Sequence, residues 1–234
     1  MRDWWYGDNR DVVKWGTVLV LARKRSIPVV FQVTFYRPDR PNYHLTVDGA
    51  SEPLPIEVIR HFRDIDHIQR LAENVELRID IHKDLFQWRA EFRTRADFRK
   101  AYFADVTSRI KQYGETIIVL LDPDTGIAPE TCGYEHVTRQ EIQGVLRAMK
   151  FGDVLLFYQH ARLGNGDWLN TTREEFRQSV GKGVPVDTIT CNEIANDVAF
   201  FVVDRRNWVD SINDRYKAEN TAEPVVPPDR LRSR

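Results

Sequence analysis

Cysteine is scarce in this chain of 234 residues, which has two, Cys132 and Cys191. They lie far apart and form no C-x-x-C or Cys/His cluster, which excludes a disulfide framework and a cysteine-based zinc site. They read as free thiols of a reducing compartment, the cytoplasm. Long hydrophobic runs are lacking too. No segment approaches the ~18 uninterrupted apolar residues of a membrane span, and the start of the chain has no apolar stretch of the kind a secretory signal carries. Nor is there an excess of either charge: 34 Lys+Arg stand against 35 Asp+Glu, so no global field draws nucleic acid in, and any anion site must be a local patch. There are no internal repeats or heptads. The stretch Gly164-Asn165-Gly166-Asp167 lacks the Lys-Ser/Thr that completes a phosphate loop, so it reads as a turn or lid.

What is present is the composition of a globular protein: 42% apolar, 29% charged, with six tryptophans. At this length one domain buries a good core. A single α/β domain is expected over residues 1–220, followed by a disordered tail over 221–234. Asp8 or Asn9 caps a helix to about Arg25, with Val12, Trp15, Gly16, Leu19 and Arg23 at helical spacing. Val29 to Phe35 reads as the first central strand, and the proline-rich stretch 37–54 as a long loop. A helix over Ile56 to Asn74 and a strand over Val75 to Ile81 follow. Thr94 caps a helix that ends at Gly114, and Thr138 with Glu141 makes a capping box for a helix to about Lys150. After a strand over Val154 to Tyr158 come a helix from Thr171 or Thr172 to Val180, strands around Val184 to Thr190 and Val198 to Val203, and a helix from Asn207 to about Asn220. Strands alternating with helices and closing on a strand pair predict a doubly wound, mostly parallel sheet with an antiparallel C-terminal strand pair.

The most informative stretch is Asp122-Pro123-Asp124-Thr125-Gly126, which follows the branched, apolar run Thr116 to Leu121. Such a run reads as a buried parallel strand that delivers carboxylates to the C-terminal edge of the sheet, where α/β folds place their sites.

This order of elements resembles the Rossmann-like methyltransferase fold. Within it, Gly7-Asp8-Asn9-Arg10-Asp11-Val12-Val13-Lys14 resembles the N-terminal Gly-Asn-His-Ala-Asp-Val-Leu-Lys of bacterial large-subunit ribosomal RNA adenine methyltransferases; Gly7, Asp11, Val12 and Lys14 match. Three-Cys-motif partner proteins are a looser likeness. In the ribosomal RNA family the segment lies near the active site, which the resemblance carries onto Asn9, Asp11 and Lys14. Leu121-Asp122-Pro123 is similar to the start of that family's Asp-Pro-Pro-Tyr signature. There the acid and the first proline carbonyl accept hydrogen bonds from the target amine while the aromatic ring stacks on the base. Here Asp124 and Thr125 stand in the last two places, so the stacking face is missing and a second carboxylate is present. Such enzymes also have a Gly-rich turn after the first strand that admits S-adenosylmethionine. This chain has Thr34-Phe35-Tyr36-Arg37-Pro38, which tells against that cofactor in the usual mode.

Strand ends that converge on one edge would gather Tyr36, Arg37, Asp122, Asp124, Gln159 and His160, with the N-terminal helix nearby. The expected catalytic residues are Asp122, Asp124 and His160. Asn9, Asp11, Lys14, Tyr36, Arg37, Gln159 and Arg162 are expected on substrate, with Lys14 and Arg37 on phosphate. Two like charges at one strand end need an offset, from Lys14, Arg37, Arg162 or a metal. The leading expectation is an enzyme that modifies nucleic acid or a nucleotide. One alternative has Asp122, Asp124 and His160, with Asp8 or His136, holding Mg²⁺ or Mn²⁺ for phosphodiester hydrolysis. Another is a non-catalytic binding protein without the cofactor loop. Plainer readings stand beside these: the two Asp as turn caps before a glycine, His160 as a hydrogen-bonded structural residue, and Lys14 as a solvated helix residue. The interleaving of Phe86, Trp88, Phe92 and Phe98 with Lys83, Arg89, Arg93, Arg95, Arg99 and Lys100 suits either base stacking or a core stripe with a basic outer face. Oligomeric state stays open.

Overall fold

The computed structural model describes residues 6–37, 44–47, 50–53, 55, 67–129, 132–162, 166–181 and 183–208. In chain order the elements are α1 (Asn9–Arg25), β1 (Val29–Val33), β2 (His44–Val47), β3 (Ala50–Pro53), α2 (Ile68–Val75), β4 (Arg78–His82), α3 (Arg95–Gln112), β5 (Ile117–Leu121), β6 (Gly126–Ile127) and β7 (His136–Val137). Then come α4 (Arg139–Ala148), β8 (Val154–His160), α5 (Trp168–Val180), β9 (Asp187–Cys191) and β10 (Ala195–Asp204).

β1 and β5 are buried at every position, which is why their apolar runs do not alternate: helices cover both faces of a parallel strand. The six-stranded sheet has the order β4-β1-β5-β8-β10-β9. β4, β1, β5 and β8 run parallel, and β10 runs against both of its neighbours. On one face α1 packs Val13, Trp15, Val18 and Leu21 against Val30, Ile118, Leu120 and Leu156. On the other, α3, α4 and α5 pack Phe98, Val106, Ile142, Leu146 and Phe176 against Phe31, Val119, Leu121 and Phe157.

The caps follow the sequence. Asp8 accepts from the Arg10 and Asp11 N–H groups at the start of α1, Thr94 accepts from the Asp97 N–H, and Thr138 with Glu141 completes a capping box.

Several expectations need correction. α1 is rotated: Val12 is exposed, and the buried face holds Asp11, Lys14, Trp15 and Val18. That choice buries the larger apolar side chains Trp15, Val18 and Leu21, and it takes Lys14, read alone as solvated, inside. Residues 44–53, expected as loop, contain an antiparallel strand pair, β2 with β3; the Asp48-Gly49 dipeptide between them is a strong hairpin signal. α5 starts at Trp168, three residues early. Residues 56–66, the helix expected after Asn207 from position 209 onward, and the tail 221–234 lie outside the described residues. Among the described residues no helix is long and apolar enough to cross a membrane.

Candidate functional site

α1, β5 and β8 all reach one corner of the sheet, and their ends enclose a cavity of about 320 Å³. The start of α1 contributes Asp8, Arg10, Asp11 and Lys14; the turn after β5 contributes Asp122, Pro123, Asp124 and Thr125; β8 contributes Tyr158 and His160. Asp122 continues the β5 ladder, its N–H donating to the Val33 carbonyl, so its side chain lies on the α1 face. Lys14, 4% exposed, is held by two carboxylates, 2.6 Å from Asp11 Oδ1 and 2.9 Å from Asp122 Oδ2. Its Nζ stands 5.4 Å from the centre of the Tyr158 ring. Gln32, a polar residue inside the apolar β1, donates to the same Asp122 oxygen at 2.8 Å, and the Gly7 N–H donates to Asp11 Oδ2 at 2.6 Å. Asp124 is ion-paired with Arg37.

Two buried carboxylates share one ammonium here, so one negative charge is left over. Burial opposes the Lys14 charge, yet Asp11 and Asp122 outweigh it and hold the ammonium above its ordinary range. The surplus shows on Asp11: burial, reinforced by the Asp122 charge, pushes its carboxyl up despite the pull of Lys14. Burial also pushes the Tyr158 phenol up. At the rim, His160 Nε2 faces Asp197 at 3.3 Å, its Nδ1 lies 2.9 Å from the Ala161 carbonyl, and Arg10 Nε bonds Asp197 at 3.0 Å. The Arg10 hydrogen bond holds the Asp197 carboxyl below the usual range. The cluster can accept a proton or hydrogen bonds from an entering group.

Asp11, Lys14, Asp122, Asp124 and His160, singled out from sequence, thus line one cavity. Others do not line it. Gln159 accepts from the Ile127 N–H and donates to the Thr125 carbonyl, pinning the turn; Gly126, at φ +114, leaves the room this needs, since a Cβ there would strike the Gln159 amide. Arg162 bonds the Ile127 carbonyl and Glu175 on α5. Tyr36 uses its carbonyl to accept from the Phe86 N–H, Asn9 is exposed beside the neighbouring groove, and His136 Nδ1 accepts from the Gly133 N–H. Phe86 and Phe98 are core residues, and Arg99 is held by Glu141, so the aromatic–basic stretch is mainly a core stripe. Gln32, Tyr158, Arg10 and Asp197 were not singled out. Gln32 is visible in sequence as a polar break in an apolar strand. Asp197, which meets Arg10 across 187 positions, is not.

The sequence resemblance implies S-adenosylmethionine, and the turn after β1 can be tested for it. Phe35 has φ 49, is 1% exposed, and packs on Phe86, Tyr102 and Phe103 at ring distances of 5.1, 5.9 and 5.8 Å. A buried aromatic side chain thus stands at a turn where the cofactor needs glycine and close backbone approach, so the described residues of this turn do not fit it in the usual mode.

No family model and no curated protein sequence matches this chain. Among solved structures it is similar to the O-methyltransferase TomG from Streptomyces achromogenes, solved in complex with SAM, at 12% identity over 82% of this chain and 79% of that one, TM-score 0.38. It is also similar to a candidate rRNA-methylase from Clostridium thermocellum, at 12% identity over 81% of this chain and 96% of that one, TM-score 0.34. The strand order, with β10 running against its neighbours β8 and β9, defines the class as a doubly wound, mostly parallel α/β fold with an antiparallel C-terminal strand pair.

Proposed function

We propose that this protein is an enzyme that modifies a nucleotide or a nucleic-acid base, and that the cavity between α1, β5 and β8 receives that base. The observation that supports it is Lys14 held between Asp11 and Asp122 with one negative charge left over, at the strand ends where α/β folds bind ligands. The lining holds four carboxylates, of Asp8, Asp11, Asp122 and Asp124, against the cations of Arg10 and Lys14. Such a lining favours a hydrogen-bond-donating edge, an exocyclic amine or ring N–H, over a phosphate. In this reading Lys14 and Arg37 set the charge of the cavity rather than hold phosphate, and Asp11, with its raised pKa, is placed to take a proton. Tyr158 supplies the aromatic surface that the turn Asp122-Pro123-Asp124-Thr125 lacks. A cavity of about 320 Å³ is at the small end for ligand sites, suited to one base rather than a duplex.

Calorimetry with adenosine, cytidine and a short single-stranded RNA, on wild type and Asp122→Asn, tests the reading. It expects saturable binding of at least one ligand by wild type and its loss in a folded variant; binding that survives Asp122→Asn undiminished contradicts it. A second reading, a binding protein that keeps the fold without turnover, is favoured by the filled turn at Phe35. Mass spectrometry of the bound base after incubation, with and without S-adenosylmethionine or Mn²⁺, separates the two.

A further inference from the structure

We propose a divalent-cation site at the end of β4, formed by His82 Nε2, Asp84 and Asp105, in which the Arg109 guanidinium serves as the internal counter-cation that a metal displaces. Among the described residues this is the one set whose ligand atoms, one from each, lie within 4.8 Å of one another; Asp122, Asp124 and His160 share a cavity but do not form such a set. His82 Nε2 is 2.8 Å from Asp105 Oδ2 and 3.4 Å from Asp84 Oδ2. Atoms bound to one ion at ~2.0–2.2 Å stand about 3–3.5 Å apart, so small shifts convert the cluster into a coordination shell.

The arrangement has an inside and an outside. The imidazole is fully buried, while the Asp84 and Asp105 side chains are 54% and 45% exposed, so a cation enters past the carboxylates and meets the ring nitrogen behind them. The other ring nitrogen, Nδ1, lies 3.1 Å from the Tyr102 hydroxyl, a partner that fixes the ring plane as the outer partner of a metal-bound histidine does. The ligands come from the end of β4, the residue two beyond it, and α3, so the tertiary fold and not a solvated run of acids assembles them. Arg109 bonds Asp105 at 2.9 Å through Nε and Asp84 at 3.2 Å through Nη2. The guanidinium neutralises the two carboxylates by donating to both; at 43% exposed it can swing into solvent. One imidazole and two carboxylates suit Mn²⁺ or Zn²⁺ better than Mg²⁺ or Ca²⁺, which favour all-oxygen shells. The His82 carbonyl accepts from the Thr34 hydroxyl at 2.8 Å, so a bound ion would brace the turn that ends β1.

Calorimetric titration of the full chain with MnCl₂ and, separately, ZnCl₂ tests the site in wild type, Asp84→Asn, Asp105→Asn and Arg109→Ala. The expected result is one site of micromolar affinity, weakened about tenfold or more in each Asn variant and tightened several-fold in Arg109→Ala. Asp84 is half exposed, so its variant keeps the fold, with circular dichroism as the check. No saturable binding by wild type, binding undiminished in both Asn variants, or an Arg109→Ala protein that binds no more tightly would overturn the proposal. None of these outcomes depends on the base-binding reading, which concerns the other face of the sheet.

Discussion

On the α1 face, the C-terminal edge of the sheet opens into a cavity of carboxylates and cations; on the α3 face, the same edge is closed by aromatic rings. Strand residues alternate between these faces, so β1 sends Gln32 toward Asp122 and Phe31 into the other core, and β8 sends Tyr158 to the cavity and Phe157 to Phe176. Folding alone explains the aromatic side: Phe35, Phe86, Tyr102 and Phe103 bury large apolar surfaces in edge and tilted contacts. It does not explain the other. A buried ion pair is often replaced by apolar side chains without loss of stability, so Lys14 between two carboxylates points to use rather than to support.

Substitutions on the two sides should therefore behave differently. Phe35→Ala is expected to cost about 4 kcal/mol in urea unfolding, as truncation of a buried aromatic does, while leaving ligand affinity at the cavity unchanged in the folded protein. Phe35→Gly should cost about 1 kcal/mol less than that, because the relief of φ 49 exceeds the backbone freedom that glycine adds to the unfolded chain. Lys14→Met comes next, at about 3 kcal/mol, because it strands Asp11 and Asp122 together without a cation. Asp122→Asn reverses the pattern. Lys14 and Asp11 remain as a balanced pair, so the midpoint should shift by no more than about 1 kcal/mol while ligand binding disappears. A loss of several kcal/mol with binding retained would mean that Asp122 only caps its turn.

The smallest effect concerns pH. Asp11 is pushed up from its ordinary 3.8, by burial first and the Asp122 charge after it. The stability linked to a raised carboxyl is fully present below that ordinary value and is lost as pH rises through the raised one. Asp11→Asn lacks this loss, so from about pH 4 to about pH 7 the urea midpoint should move in favour of the variant relative to wild type. A gap that stays constant across that range would show that Asp11 carries no surplus charge.

Much of this was legible in the sequence for local reasons. The run Ile117 to Leu121 ends in Asp122 and Pro123, Asp8 stands where a helix must start, and Thr138 and Glu141 have capping-box spacing. What failed did so where a face had to be assigned. Gln159 and His160 were expected together at the site, yet neighbours in a strand point to opposite faces, and Gln159 turned to hold Ile127. The stripe through Val12 and Gly16 had helical spacing but the wrong phase, which hid the burial of Lys14. Arg10 with Asp197 joins elements that lie far apart in the chain, and His82 with Asp105 depends on how α3 packs back beside the end of β4. Phe35 was expected as the last residue of the first strand, yet β1 ends at Val33 and Phe35 turns at φ 49 into the aromatic core, a placement that could not be read from one strand.

The central claim is that the polar corner between α1, β5 and β8 is where this protein meets its ligand. Backbone amide shifts of ¹⁵N-labelled protein, followed during titration with adenosine, cytidine and a short single-stranded RNA, test it most directly. The account predicts that the largest shifts fall on Asp11, Lys14, Asp122, Thr125, Tyr158 and His160, and that they vanish in Asp122→Asn. Shifts concentrated on α3 and the turn at Phe35, or spread evenly with no saturation, would contradict it.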